Sequence, residues 1–197
     1  SFNLFKLNYY FSTYELNQAC DFSNLINRKK SSINENFLLK VDIFCTFIQN
    51  KIEEADFLNS LLEEINDQDD YFQKIFINLK ESNKNQEDFS LLNYDKNSMP
   101  LYSAMIRVGE MPLNSKFLMH DPVNFSMPII LSGSSDISLR LKAAHKAYQQ
   151  GTFNAESLSA LYQTVDFNYD ELTNNELEKF NKNIEVGMSY LFQKANI

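Results

Sequence analysis

The positions of glycine and proline constrain this chain most, because neither residue occurs among its first 99 positions. The first proline is Pro100, the first glycine is Gly109, and all four prolines fall within 100–128. A β-rich chain needs glycine-bearing turns at frequent intervals. The first hundred residues therefore predict helices joined by short loops rich in Asn, Ser and Asp.

The hydrophobic periodicity agrees with a helical chain. Within 35–49, for example, Phe37, Val41 and Phe44 recur at the spacing of one helix face. The same repeat predicts helices over 13–29, 35–49, 52–65, 69–81, 99–108, 136–150, 155–165, 168–181 and 183–195, with short proline-broken turns over 110–133. Short loops between consecutive helices favour an antiparallel arrangement of those helices. We therefore predict an all-α fold, an α-solenoid-like right-handed stack of antiparallel helix hairpins with about nine or ten helices.

One hairpin is predicted from its end signals alone. Gly151 follows a helical stripe and is the expected left-handed residue after a helix. Thr152 or Asn154 caps the next helix, whose first turn contains Glu156. Capping and packing explain this segment without a functional role.

The domain organisation is predicted as one helical-repeat domain over 1–197. An alternative division gives two subdomains, 1–82 and 98–197, joined by a polar loop at 83–97. The chain starts at Ser1 rather than Met, so we expect a fragment of a longer chain or a processed product.

The charge distribution excludes several partners. The net charge is −8, and acidic residues concentrate in 53–70. Nucleic-acid binding requires Lys and Arg to neutralise phosphates, so we expect no nucleic-acid partner. No apolar run reaches the length of a membrane span. The acidic stretch is either a solvated helix face and loop or a docking surface for a basic partner.

No catalytic constellation is evident. His120 and His145 lack partners at metal-ligand spacing, and neither lies in an HExxH motif. The sequence contains no GxSxG elbow, and the segment at 132–138 has no phosphate-loop lysine. We therefore expect no enzymatic activity in this stretch, no metal and no cofactor.

The two cysteines leave two alternatives open. Cys20 and Cys45 lie on consecutive predicted helices, at similar heights if those helices are antiparallel. They are either two buried free thiols or a disulfide. The location is predicted as cytoplasmic, or periplasmic if the two cysteines are bonded.

Four stretches resemble a poorly characterised group of proteobacterial α-helical repeat (TPR-like, superhelical) proteins. They are ACDFSNLI at 19–26, FLLKVDIFCTFIQNKIEEADFLNSLLEE at 37–64, QQGTFNAESLSALYQTVDF at 149–167 and SYLFQKANI at 189–197. That resemblance implies a fold and no activity. The chain also resembles the non-catalytic superhelical region of soluble lytic transglycosylases. Their catalytic Glu-Ser pair is matched by Glu156-Ser157, but the Gly-containing motif that should follow is absent, so Glu156 inherits no catalytic role.

We therefore expect a non-enzymatic protein-interaction or scaffolding module with an unknown protein partner. The alternatives are the non-catalytic arm of a cell-wall enzyme and a small-molecule-binding domain with a pocket around 100–130. The candidate contact residues are Tyr9, Tyr10, Tyr14, Glu53, Glu54, Asp56 and Glu63.

Overall fold

The computed structural model describes residues 1–82, 93–174, 177–180 and 182–196. All regular structure in these ranges is helical, so the all-α prediction is confirmed. The α-helices are α1 Phe2–Ser12, α2 Leu16–Leu25, α3 Glu35–Ile48, α4 Ile52–Glu64, α5 Asp70–Lys80, α6 Met99–Val108, α7 Ser115–His120, α8 Pro122–Leu131, α9 Ile137–Gln149, α10 Ala155–Tyr162, α11 Tyr169–Thr173 and α12 Ile184–Lys194. Three 3₁₀ turns span Arg28–Lys30, Lys96–Ser98 and Leu177–Phe180. Most of the predicted loop at 83–97 lies outside the described residues.

The chain divides into two compact units, Ser1–Met111 and Pro112–Ile197. The boundary between these two units follows Met111. The physical reason is the packing of α6, which contacts both α1 and α5 and so belongs with the helices that precede it. The predictions of one domain, or of two subdomains joined at 83–97, stay predictions.

Packing in the first unit is partly sequential. The pairs α1–α2, α2–α3, α3–α4 and α5–α6 are in contact, and α6 also packs on α1. In a solenoid each repeat contacts only its neighbours. The α1–α6 contact joins the two ends of this unit, so the solenoid-like stack stays a prediction.

Helix α1 was not predicted from sequence, although a local signal was present. The side chain of Ser1 accepts a hydrogen bond from Leu4 N at 3.3 Å, which caps the helix. Leu7 and Phe11 are fully buried at helical spacing. Apolar residues also occupy most outward positions of this helix. The spacing of its buried residues is therefore hard to recognise in the sequence.

The second unit contains the hairpin predicted from its end signals. Gly151 adopts φ +72° after α9, and the Asn154 side chain accepts from Ser157 N at 2.7 Å to cap α10. Helices α9, α10 and α12 pack on one another. The predicted helix at 168–181 is instead α11 followed by a 3₁₀ turn. Nowhere among the described residues is a helix long and apolar enough to cross a bilayer.

Candidate functional site

A buried lysine organises the polar centre of the first unit. Lys40 lies on the inward face of α3, between Phe37 and Phe44, and is only 2% exposed. Helix α3 is held at its start by the Asn34 side chain, which accepts from Asn36 N at 2.8 Å. A buried ammonium needs counter-charge, since desolvation otherwise costs several kcal/mol.

Two aspartates from the segment after α4 supply that counter-charge. Lys40 Nζ lies 2.6 Å from Asp69 Oδ2 and 2.8 Å from Asp67 Oδ2. The contact with Asp69 is a hydrogen bond, whereas Asp67 Oδ2 lies in ion-pair contact outside hydrogen-bond geometry. Asn36 Nδ2 also donates to Asp67 Oδ1 at 2.8 Å. The interpretation of 53–70 as solvated is therefore wrong for Asp69, which is 5% exposed.

Asp69 also connects three elements. Its Oδ1 accepts from Phe72 N at 3.0 Å and so caps α5, while Tyr102 on α6 donates its hydroxyl to Oδ2. The Tyr102 oxygen in turn accepts from Asp95 N at 3.0 Å. Burial, and then the neighbouring Asp69 carboxylate, raise the pKa of Tyr102 well above its usual range. Tyr102 is thus a neutral donor that fixes the carboxylate.

A cleft of about 380 Å³ opens onto this cluster. The charged side chains that line it are Lys40, Asp67, Asp69 and Asp95, and Gln68, Asn93 and Tyr94 lie among the remaining lining residues. The small-molecule alternative placed a pocket around 100–130. The cleft at Lys40 is lined by residues between 34 and 95, so it does not bear on that alternative, which stays a prediction.

A second feature is the outward face of α4. The helix buries Ala55, Asn59 and Leu62, and the opposite face carries Phe57, which is 63% exposed. Ile65, the C-cap residue, is 53% exposed. Both are apolar residues of the helix predicted over 52–65, yet they lie away from the stripe that contacts the core.

Exposed carboxylates surround Phe57 on this helix. Glu53, Glu54 and Glu64 fall at positions −4, −3 and +7 from Phe57, on the same face, and all three are exposed. Lys51 Nζ lies 3.8 Å from Glu54. Among the described residues, no ion pair involves Glu53 or Glu64. We call Glu53, Glu54, Phe57, Glu64 and Ile65 the α4 surface.

The remaining acidic candidates have intramolecular partners. Asp56 is paired with Lys80 at 2.8 Å, and Glu63 accepts from Asn59 Nδ2 at 3.2 Å. Both lie towards the side of α4 rather than at the centre of the surface.

The three tyrosine candidates have different environments. Tyr9 is 52% exposed on α1 and shares an outward stripe with Phe2 and Phe5. Tyr10 is half-buried, with its ring centroid 6.1 Å from that of Phe22. Tyr14 lies beyond α1 at φ +64°, and the Arg107 guanidinium covers its ring at 3.9 Å. The ring centroids of Tyr9 and Tyr10 lie 5.9 Å apart, and a contact role for the three tyrosines stays a prediction.

Cys20 and Cys45 form a disulfide, with their Cα atoms 5.6 Å apart. It links α2 to α3, and both residues are buried. Close by, Arg28 Nη2 donates to both oxygens of Asp42, at 2.7 and 2.6 Å. Burial raises the pKa of Asp42, and the Arg28 charge opposes that shift.

The two histidines differ in environment. His145 on α9 is half-buried, and its Nε2 shares a hydrogen bond with the Tyr162 hydroxyl of α10. Burial lowers the pKa of His145, with an opposing influence from Glu185 on α12. His120 is exposed at the end of α7. Within the part of the chain that the structure describes, no group of His, Cys, Asp and Glu is arranged to hold a metal ion.

Comparison with protein-family models, with curated proteins and with solved structures finds no match for this chain. The resemblances to helical repeat proteins and to transglycosylase arms stay predictions.

Proposed function

We propose that the protein is a protein-interaction module whose α4 surface binds a basic amphipathic segment of a partner. The observation that carries this proposal is the exposure of Phe57 at the centre of an acidic helix face. Phe57 and the exposed Ile65 give this acidic face an apolar contact area in addition to its charges. Buried aromatic anchors with a polar rim are the usual arrangement of an interface.

Charge complementarity supports this class of partner. A partner segment that covers Phe57 and Ile65 needs an apolar stripe, and its flanks must face Glu53, Glu54 and Glu64. Lys and Arg on those flanks would steer association and fix the register. An amphipathic helix with apolar residues on one face and cations on the others meets both requirements.

The compartment forms part of the proposal. Disulfides persist in oxidising compartments and are rare in reducing cytosol. The Cys20–Cys45 bond supports a periplasmic or otherwise oxidising location.

The direct test is binding of a labelled helical peptide that carries Leu on one face and Lys on the others. Fluorescence anisotropy at low ionic strength compares the wild-type protein with Phe57→Ser. Loss of a central aromatic anchor costs about 2 kcal/mol or more, so we expect at least about tenfold weaker binding. Tyr169→Ser is the matched control, since Tyr169 is 69% exposed in the second unit.

Two results would count against the proposal. One is equal affinity of Phe57→Ser and Tyr169→Ser for the peptide. The other is unchanged affinity when Glu53→Lys and Glu64→Lys are combined, since these substitutions reverse the rim charge. The far-UV CD spectrum of each variant confirms that it remains folded.

A further inference from the structure

We propose that the partner of the α4 surface is a second copy of this chain, which docks through its own segment 25–30. The inference rests on the proposed function, because it names the partner of that same surface. It makes the protein a homodimer in which the segment of each copy contacts the α4 surface of the other.

Segment 25–30 has the chemistry that the α4 surface requires. Arg28, Lys29 and Lys30 are the only run of consecutive cations in the sequence, and the segment contains no acidic residue. Leu25 begins the segment, and its side chain is 80% exposed. Lys29 and Lys30 are also exposed, and neither forms an ion pair within the described part of the chain. The segment therefore presents an apolar side chain together with available cations.

Contacts within the first unit hold this segment in a defined conformation. Ile26 and Ile33, on either side of the cations, are buried. Arg28–Lys30 form a 3₁₀ turn, and Arg28 donates to both carboxylate oxygens of Asp42 on α3. A segment that is already ordered loses less entropy on binding than a mobile one. The segment is therefore suited to dock without refolding.

The segment and the α4 surface are neighbours in the first unit. A cleft of about 390 Å³ is lined by Arg28 of the segment and by Glu54 of the α4 surface. Two complementary surfaces that lie side by side are self-complementary as a pair, and a two-fold axis then makes each contact twice. This adjacency favours a closed dimer over an open chain of copies.

The charges of the two surfaces match. Glu53 and Glu64 are exposed and lack ion-pair partners among the described residues, as do Lys29 and Lys30. Two cations of one copy can therefore approach two carboxylates of the other without the loss of an internal ion pair. Opposite charges of this kind steer association and fix its register. In the same contact, Leu25 and Phe57 are the exposed apolar side chains of the two surfaces.

The test is sedimentation velocity of the full chain at low ionic strength. A few apolar contacts and exposed charge pairs give a weak interface, so we expect a dimer dissociation constant of about 1–100 µM that rises with added salt. Lys29→Glu combined with Lys30→Glu should raise it by at least about tenfold, because like charges then face each other. Lys142→Glu combined with Lys182→Glu is the matched control, since both are exposed lysines of the second unit.

A charge swap tests the pairing itself. Glu53→Lys combined with Glu64→Lys should also weaken the dimer, because two basic surfaces then meet. An equimolar mixture of this variant with the Lys29→Glu, Lys30→Glu variant should form a heterodimer, since opposite charges face each other in both halves of the interface. Both variants keep a net negative charge, because the wild-type charge of −8 exceeds the change. Overall attraction between the two variants therefore does not explain a mixed complex.

Three results would overturn the inference. They are a wild-type chain that stays monomeric up to about 200 µM, equal dissociation constants for the segment variant and its second-unit control, and no heterodimer in the mixture. Far-UV CD verifies the fold of each variant. If the segment variant does not fold, Leu25→Ser takes its place and should also weaken the dimer, with Tyr169→Ser as its control.

The helical peptide separates failure of this inference from failure of the proposed function. The Lys29→Glu, Lys30→Glu variant keeps the whole α4 surface. If the wild-type chain is monomeric and yet binds the peptide through Phe57, the surface has a different partner, and this inference alone is overturned. If neither the peptide nor a second copy binds, the proposed function fails as well.

Discussion

Replacement of Lys40 by methionine should destabilise the first unit strongly. Methionine has nearly the same length and no charge, so Asp67 and Asp69 would remain buried without their counter-ion. Their side chains are only 11% and 4% exposed. Removal of one partner from a buried ion pair costs about 3–5 kcal/mol, because the remaining charge is uncompensated.

A second lysine provides a matched control. Lys80 is paired with Asp56 at 2.8 Å, but its side chain is 38% exposed and that of Asp56 is 43% exposed. An exposed pair contributes about 1 kcal/mol or less. Lys80→Met makes the same chemical change with the same type of partner and differs mainly in burial.

Urea unfolding, followed by far-UV CD, measures both variants. With a slope of about 1–3 kcal/mol per molar urea, Lys40→Met should lower the midpoint by about 1 M or more, and Lys80→Met by much less. Adding Asp69→Asn to Lys40→Met should cost less than the two single changes summed, because it removes one of the stranded charges. Equal midpoint shifts for Lys40→Met and Lys80→Met would refute the reasoning.

Three further predictions concern other parts of the chain. Reduction of the Cys20–Cys45 bond should lower stability by about 3.5 kcal/mol, as chain entropy predicts for a separation of 25 residues, and urea midpoints with and without dithiothreitol measure the difference. Because burial lowers the pKa of His145, the unfolded chain binds more protons as pH falls below about 6.5, so stability should fall there. His145→Gln should flatten that part of the stability-versus-pH curve, and an unchanged curve would show that other groups cause it. Gly151→Ala should cost about 1 kcal/mol at φ +72°, while Gly133→Ala, at a site without positive φ and with open space around the new methyl group, should be nearly neutral in thermal unfolding.

The hairpin of α9 and α10 could be predicted from sequence because its signals are local. Gly151 and Asn154 act on backbone groups within a few residues of themselves; Gly151 was predicted in its role, and Asn154 was one of the two predicted caps, with Thr152 the other. The end of α6 at Val108, before Gly109, was predicted for the same reason. End signals of this kind need no knowledge of tertiary packing.

The polar cluster around Lys40 could not be predicted from local signals of this kind. A lysine inside the apolar stripe of α3 was a usable signal, because a fully buried lysine requires a partner. That partner lies 29 residues away at Asp69, within an acidic stretch whose members are otherwise mostly exposed. Only the packing of α3, α5 and α6 distinguishes Asp69 from its neighbours.

The α4 surface shows that hydrophobic periodicity does not determine which apolar residues of a helix are buried. The helix was predicted within one residue at its end, yet it contains more apolar residues than one narrow stripe can bury. The buried positions are Ala55, Asn59 and Leu62, whereas Phe57 is exposed to solvent. A hydrophobic pattern indicates a helix more reliably than it indicates which apolar residue faces solvent.

Cross-linking capture with paired variants tests the central claim most directly. Wild-type protein, Phe57→Ser combined with Glu53→Lys, and Tyr169→Ser would be expressed in the native cells and cross-linked mildly, and bound proteins would be quantified. We predict one stoichiometric partner with a basic amphipathic segment, retained by Tyr169→Ser and lost from the α4 variant. Equal recovery of that partner by all three proteins would contradict a role for the α4 surface.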